Sequence, residues 1–162
     1  MKIFPYHEFK IATPVSIEDS YTSLNSEIEP DKWFRFLSKH TLFQGTISRE
    51  SFKITRIIHY RNSFLPIIYG TFLPGLNGTT VNIKMKMHPF VIAFMCFWFG
   101  GVGLGCFARV SNLLSSKALK PELLIPLGML VFGVALVSGC FWFEVKQTIP
   151  ILEKIFYRVK NV

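Results

Sequence analysis

Two long apolar stretches dominate the pattern of hydrophobic and polar positions along the chain. Residues 90–108 and 123–143 contain no charged side chain and comprise 19 and 21 residues. At a rise of about 1.5 Å per residue, either stretch is long enough as a helix to cross a hydrocarbon core of about 30 Å. Two core helices that are apolar on every side would need more covering chain than the rest of the sequence offers. The pattern therefore predicts a transmembrane helical hairpin over 90–143.

The chain before the first apolar stretch has the patterns of a small mixed domain, residues 1–89. Ser16 with Asp19 three residues later is typical of a helix N-terminus, and the apolar positions that follow predict a helix over 17–29. A short strand is expected between Phe9 and Val15. From Leu42 the apolar spacing changes to two, which predicts strands at 43–47, 52–59, 64–72 and 79–87.

Three further expectations complete the predicted fold. A second short helical turn is expected at 33–37, and short connections favour an antiparallel meander for the strands. Residues 144–162 repeat apolar positions at helical spacing and predict a separate amphipathic helix that returns to cover the sheet, kinked early by Pro150. The predicted fold class is α+β: a small antiparallel β-sheet with flanking helices, interrupted by the transmembrane hairpin.

The positive charges near the apolar stretches predict the orientation of the hairpin. The flanking chain carries six lysines and arginines near the spans, at positions 84, 86, 146, 154, 158 and 160, whereas the connecting loop carries three. Positive residues favour the cytoplasmic side. We therefore expect a multi-pass protein of the inner cell membrane with both termini in the cytoplasm. A net charge of +8 and 50% hydrophobic residues agree with that class.

Small residues recur at helical spacing inside both apolar stretches. Gly101 and Gly105 form one pair, and Ala135 and Gly139 form a second. Such pairs let helix backbones approach closely. They predict helix packing, either within the hairpin or across a homodimer.

Candidate catalytic and metal-binding groups are sparse. The four histidines have no paired ligand spacing, the three cysteines lie in the apolar stretches, and no close pair of carboxylates occurs in the predicted strands. The sequence therefore predicts no catalytic, cofactor-binding or metal-binding residue. Nucleic acid is not an expected partner, because acidic residues dilute the positive charge.

Basic residues supply the candidate binding sites. Lys84 and Lys86 precede the first apolar stretch and are expected to attract anionic lipid headgroups. Arg61, Asn62 and Ser63 lie at a turn between two predicted strands. They act there either as turn residues that bind the backbone or as a donor-rich pocket for an anionic group or partner.

Several strings in residues 43–99 carry a resemblance to a known group. They are the run from Tyr60 to Pro66 with Gly70, the run from Thr80 to Ile83, and the run from His88 to Val91 before Trp98. Together they resemble small uncharacterised bacterial two-span membrane proteins. The resemblance implies a bacterial two-span protein and no catalytic residue.

These patterns predict a membrane-anchored cytoplasmic domain that acts as a scaffold or accessory by binding a partner or the lipid surface. One alternative is a structural subunit of a larger membrane complex, in which the Gly101 and Gly105 face matters most. The other is a membrane-associated enzyme that uses Arg61, Asn62 and Ser63.

Overall fold

The computed structural model describes residues 5–29, 41–116 and 124–158 of the 162-residue chain. The helical turn predicted at 33–37 lies outside these residues. The strands and helices are, in chain order, β1 (Tyr6–Thr13), α1 (Ile17–Asn25), β2 (Ile28–Glu29), β3 (Phe43–Ile47), β4 (Ser51–Arg56), β5 (Ile67–Gly75), β6 (Gly78–Lys86), α2 (Pro89–Ser116) and α3 (Leu124–Arg158).

The six strands form one mixed sheet in the order β1-β6-β5-β4-β3-β2. Strands β3 to β6 are an antiparallel meander, as predicted. Strand β1 adds to the free edge of β6 in antiparallel register, with Ile11 opposite Val81. The two residues of β2 pair parallel with β3 at the other edge, which makes the sheet mixed. The predicted α+β class is confirmed.

Helix α1 begins where the sequence predicts and ends earlier. The Ser16 Oγ accepts a hydrogen bond from the Asp19 backbone N–H at 3.1 Å, which satisfies one of the donors at the helix N-terminus. The helix stops at Asn25 instead of continuing to 29, because Ile28 and Glu29 pair with Phe43 and Gln44 of β3.

The sheet has one covered face and one open face. The covered face packs against α1 and the C-terminal half of α3, and its central side chains include the fully buried Ile54, Ile68 and Ile83. Gly70 lies opposite Phe52 in the register, and a Cβ at Gly70 would stand 1.9 Å from the Phe52 ring. Only glycine therefore fits beneath that ring.

Helix α3 is continuous, which corrects the prediction of a separate helix from residue 144. It runs through Pro150, whose ring and missing N–H are expected to kink a helix. Both Pro150 and Lys146, four residues earlier, are exposed, so water can satisfy the carbonyl group that proline leaves without a donor. Beyond the apolar part, Val145, Leu152 and Phe156 are buried in the core.

Helices α2 and α3 are both long and apolar enough to cross a membrane, by length and composition. The apolar segments are Pro89–Val110, with mean hydropathy 2.0, and Leu124–Tyr157, with mean hydropathy 2.2. In the first segment, 6% of the most apolar 18-residue window is buried inside the chain. In the second segment, 22% of the corresponding window is buried. Most of this apolar surface is therefore left uncovered by the described residues.

The two long helices touch through Gly133 of α3. A Cβ at this position would lie 2.5 Å from Trp98 Cζ3 and 3.1 Å from Phe99 Cε1 on α2. By contrast, a Cβ at Gly101, Gly105 or Gly139 would meet no heavy atom within 4 Å. The prediction that these three glycines pack the hairpin is thereby corrected, whereas their use in a homodimer stays a prediction.

Candidate functional site

The predicted turn at Arg61, Asn62 and Ser63 lies in a ten-residue corner, residues 57–66, that joins β4 to β5. The Asn62 Nδ2 donates to Glu144 Oε1 at 2.9 Å, while its Oδ1 accepts from the Phe64 backbone N–H at 2.9 Å. Asn62 is therefore a turn residue that also ties the corner to α3. Arg61 and Ser63 are exposed, so the structure does not gather all three side chains around one pocket.

Glu144 is the buried centre of a polar network at the point where α3 meets the sheet, and Tyr60 at the rim of this network is 47% exposed. The Glu144 side chain is fully buried, and its Oε2 lies 2.8 Å from Arg56 Nη2 at the end of β4. The Tyr60 hydroxyl donates to Glu144 Oε1. Arg56 also donates to the Tyr60 hydroxyl and to Gln147 Oε1, at 2.8 Å each. The charge on Glu144 is thus matched by one guanidinium and two neutral donors.

The network changes the acidity of the Tyr60 hydroxyl. Burial raises the pKa of Tyr60, and the hydrogen bond that the hydroxyl donates to the Glu144 carboxylate raises it further. The positive charge of Arg56 acts in the opposite direction. The raised pKa keeps the Tyr60 hydroxyl protonated to higher pH, and as a donor to Glu144 this hydroxyl closes the corner against α3.

The open face of the sheet carries a cluster of basic and aromatic side chains, here called the basic face: Tyr6, Lys53, Tyr69, Lys84 and Lys86. Along each strand, these side chains alternate with side chains that point into the core. The Lys86 Nζ lies 5.8 Å from the centroid of the Tyr6 ring and 5.9 Å from that of Tyr69. The Lys53 Nζ lies 5.9 Å from the Tyr69 centroid. These ring contacts hold two ammonium groups at the sheet surface.

The two lysines predicted to meet lipid headgroups differ in their surroundings. Lys84 Nζ lies 3.4 Å from Glu8 Oε1, so a carboxylate offsets part of its charge. Glu8 also accepts a hydrogen bond from the Tyr6 hydroxyl, and this bond, with help from Lys84, lowers the pKa of Glu8. Among the described residues, Lys86 by contrast contacts the rings of Tyr6 and Tyr69 and not a carboxylate that offsets its charge. It lies three residues before Pro89, the first residue of α2.

The small residues predicted to pack helices lie on separate surfaces. Ala135 and Gly139 line an apolar groove along α3 of about 1060 Å³, which ends at Trp142 and Lys146. Gly101 and Gly105 lie on α2 with no neighbour close enough to touch an added Cβ. The structure does not bring the two pairs together.

The described residues, 5–29, 41–116 and 124–158, contain no cluster of side chains that could bind a metal ion. No group of three or more histidine, cysteine, aspartate or glutamate side chains is placed there to hold a metal ion. His88 serves α2 instead, because its Nδ1 accepts a hydrogen bond from the Phe90 backbone N–H at 3.2 Å.

Comparisons of the chain with protein-family models, with curated proteins and with solved structures found no match. The resemblance of residues 43–99 to bacterial two-span proteins therefore stays a prediction.

Sequence reasoning missed two residues that organise this region. Glu144 directly follows the second apolar stretch, and this position was the only signal that it gave in the sequence. Lys53 gave no signal of its own in the strand pattern. Its relation to Lys86 depends on the register of three neighbouring strands.

Proposed function

We propose that this chain is an integral membrane protein whose hairpin, α2 and α3, anchors the α+β domain at the cytoplasmic face of the inner membrane. The basic face there binds anionic lipid headgroups, in a scaffold or accessory role. The observation that carries the proposal is the uncovered surface of α2. Its large aromatic side chains Phe90, Phe97 and Phe107 are 75%, 81% and 74% exposed within the chain. Such a surface needs lipid or another apolar partner to cover it.

The connection between the sheet and the hairpin supports headgroup binding. Strand β6 ends at Lys86, and α2 begins three residues later at Pro89. At about 3.3 Å per residue, Lys86 is then within roughly 10 Å of the start of the apolar helix. A lysine near an anionic membrane surface contributes on the order of 1 kcal/mol of attraction. The excess of lysine and arginine beside the spans supports a cytoplasmic domain.

A labelling experiment on the full chain tests headgroup binding. The protein is reconstituted in vesicles of phosphatidylcholine, with or without phosphatidylglycerol, and treated with an amine-reactive reagent. We expect phosphatidylglycerol to protect Lys86 more than Lys10, which lies on the same side of the sheet further from α2. High salt should remove the protection, because exposed charges are screened. Equal labelling of Lys86 in both vesicles would overturn headgroup binding.

A structural subunit of a larger membrane complex is the second candidate function. It is favoured by the open surface at Gly101 and Gly105, where a helix from another protein can approach closely. Gly101→Leu would then abolish co-purification of a partner in mild detergent, whereas Arg61→Ala would not. If neither variant changes what co-purifies, the subunit hypothesis fails.

A further inference from the structure

A pocket of about 630 Å³ lies on the open side of the sheet, beside the first turn of α2. It is bounded by strands β3 and β4, by the corner 57–66 and by residues at the start of α2. Its volume is within the range of about 300–1,000 Å³ typical of small-molecule sites. The pocket is separate from the Glu144 network, none of whose residues line it.

The polar side chains that line this pocket can all donate hydrogen bonds, and none of them is an acid. The polar lining residues are a lysine, an amide, three hydroxyl-bearing residues and a histidine: Lys53, Gln44, Thr46, Thr55, Ser63 and His88. None of the lining residues is an aspartate or a glutamate. Within the described part of the chain, no carboxylate is in ion-pair contact with Lys53. The lining is therefore suited to an anion.

The histidine contributes a donor as well. Its Nδ1 accepts the Phe90 backbone N–H at 3.2 Å, so in the neutral ring the proton is carried by Nε2. The Nε2–H is then the ring's remaining hydrogen-bonding group. Leu65 and Ile67 add an apolar wall. A ligand that combines a phosphate with a short carbon chain matches these two kinds of lining.

From this lining we infer that the pocket binds one phosphate-bearing anionic group, with Lys53 and Ser63 as its main contacts. The group is either a phosphoglycerol headgroup of a lipid or a soluble phosphate ester of the same chemistry. The lipid source rests on the proposed function. His88 and Val91 line the pocket, so the pocket lies beside the start of α2, the end that the proposed function places at the membrane surface. The sequence prediction of an anion pocket used Arg61, Asn62 and Ser63, whereas this pocket takes Ser63 alone from that set.

Calorimetric titration of the full chain in a neutral detergent tests the inference without a bilayer. The probes are dihexanoyl phosphatidylglycerol, dihexanoyl phosphatidylcholine and glycerol 1-phosphate. We expect one site for phosphatidylglycerol, and weaker binding of phosphatidylcholine because its choline repels Lys53. Lys53→Gln should weaken binding about tenfold or more, and Ser63→Ala by a smaller factor. Lys10→Gln makes the same charge change outside the pocket and should leave the affinity unchanged.

The variants distinguish a built site from general attraction. Equal losses in Lys53→Gln, Lys86→Gln and Lys10→Gln would overturn the pocket, because only net charge would then matter. Binding of glycerol 1-phosphate as tight as that of the lipid would support the pocket and assign it to a soluble ester. Protection of Lys86 in vesicles without saturable binding in detergent would overturn the pocket and leave the proposed function standing. Saturable binding in detergent without protection of Lys86 in vesicles would support the pocket and overturn headgroup binding by the basic face.

Discussion

The Arg56 guanidinium and the Glu144 carboxylate form a buried ion pair, with Nη2 and Oε2 2.8 Å apart, that joins β4 to α3. The side chain of Arg56 is 10% exposed and that of Glu144 is fully buried. Because Glu144 directly follows the apolar part of α3, the pair fixes the domain to one end of the hairpin. Tyr60 and Asn62 add hydrogen bonds from the corner to the same carboxylate.

Removal of one partner of the pair should destabilise the fold strongly. Glu144→Gln leaves Arg56 buried without a counter-charge, and we expect the free energy of unfolding in mild detergent to fall by about 3 kcal/mol. The double variant Arg56→Met with Glu144→Leu should lose less than the two single losses added together. As a control, Arg49→Ala breaks the exposed pair with Glu18 and should cost less than about 0.5 kcal/mol. A loss in Glu144→Gln as small as that control would contradict the role of the pair.

The ionisation of Tyr60 reports on the same network. Since burial and the Glu144 hydrogen bond raise its pKa, Tyr60 should lose its proton above the ordinary value of about 10. The folded state then binds the proton more tightly than the unfolded state, so this contribution to stability is present below about pH 10 and is lost as the pH rises through the raised pKa of Tyr60. Carbon NMR of labelled tyrosine, assigned with Tyr60→Phe, measures the titration. In Glu144→Gln the Tyr60 pKa should fall; an unchanged value would show that the carboxylate does not act on it.

The contact between the two long helices should depend on Gly133. In Gly133→Ala the new Cβ forces the Trp98 ring to move, and we expect a loss of about 1–3 kcal/mol in unfolding free energy. Gly101→Ala meets no neighbour and gains helix propensity, so its stability should stay constant or rise by up to about 1 kcal/mol. Thermal unfolding in detergent compares the two. Equal losses would place Gly101 in a contact as well.

The packing of Phe52 over Gly70 gives a test inside the sheet. Gly70→Ala should destabilise the domain by about 1–3 kcal/mol, because the added methyl group overlaps the Phe52 ring. Adding Phe52→Leu should recover part of that loss by removing the ring. If Gly70→Ala alone leaves the unfolding midpoint unchanged, the close approach of these residues is wrong.

Local patterns in the sequence were sufficient for much of the fold. The Ser16 cap and the strand Phe43–Ile47 agree with the prediction, because hydrogen bonding by the cap and the alternation of side chains are properties of neighbouring residues. The bounds of the other four predicted strands differ from the observed ones by one to three residues. Helix α1 is shorter than predicted because the pairing of Ile28 with Phe43 competes for its last turn.

Relations between distant residues were not accessible from local patterns. Strand β1 pairs with β6 over a separation of more than 60 residues, and the Glu144 network unites Arg56, Tyr60 and Asn62 with a residue over 80 positions away. The continuity of α3 through Pro150 depends on which side of the helix faces water. The candidate pocket likewise combines Lys53, Ser63 and His88, which no spacing in the sequence relates.

The accessibility of single cysteines across the membrane tests the central claim most directly. With Cys96, Cys106 and Cys140 replaced by alanine, one cysteine is introduced at Ser51, at the start of β4, or at Ser116, the last residue of α2. A membrane-impermeant maleimide should label Ser51→Cys only in inverted inner-membrane vesicles and Ser116→Cys only in right-side-out vesicles. The opposite pattern would reverse the orientation alone. Labelling of both positions from the same side would contradict a hairpin that crosses the membrane with the domain at one end.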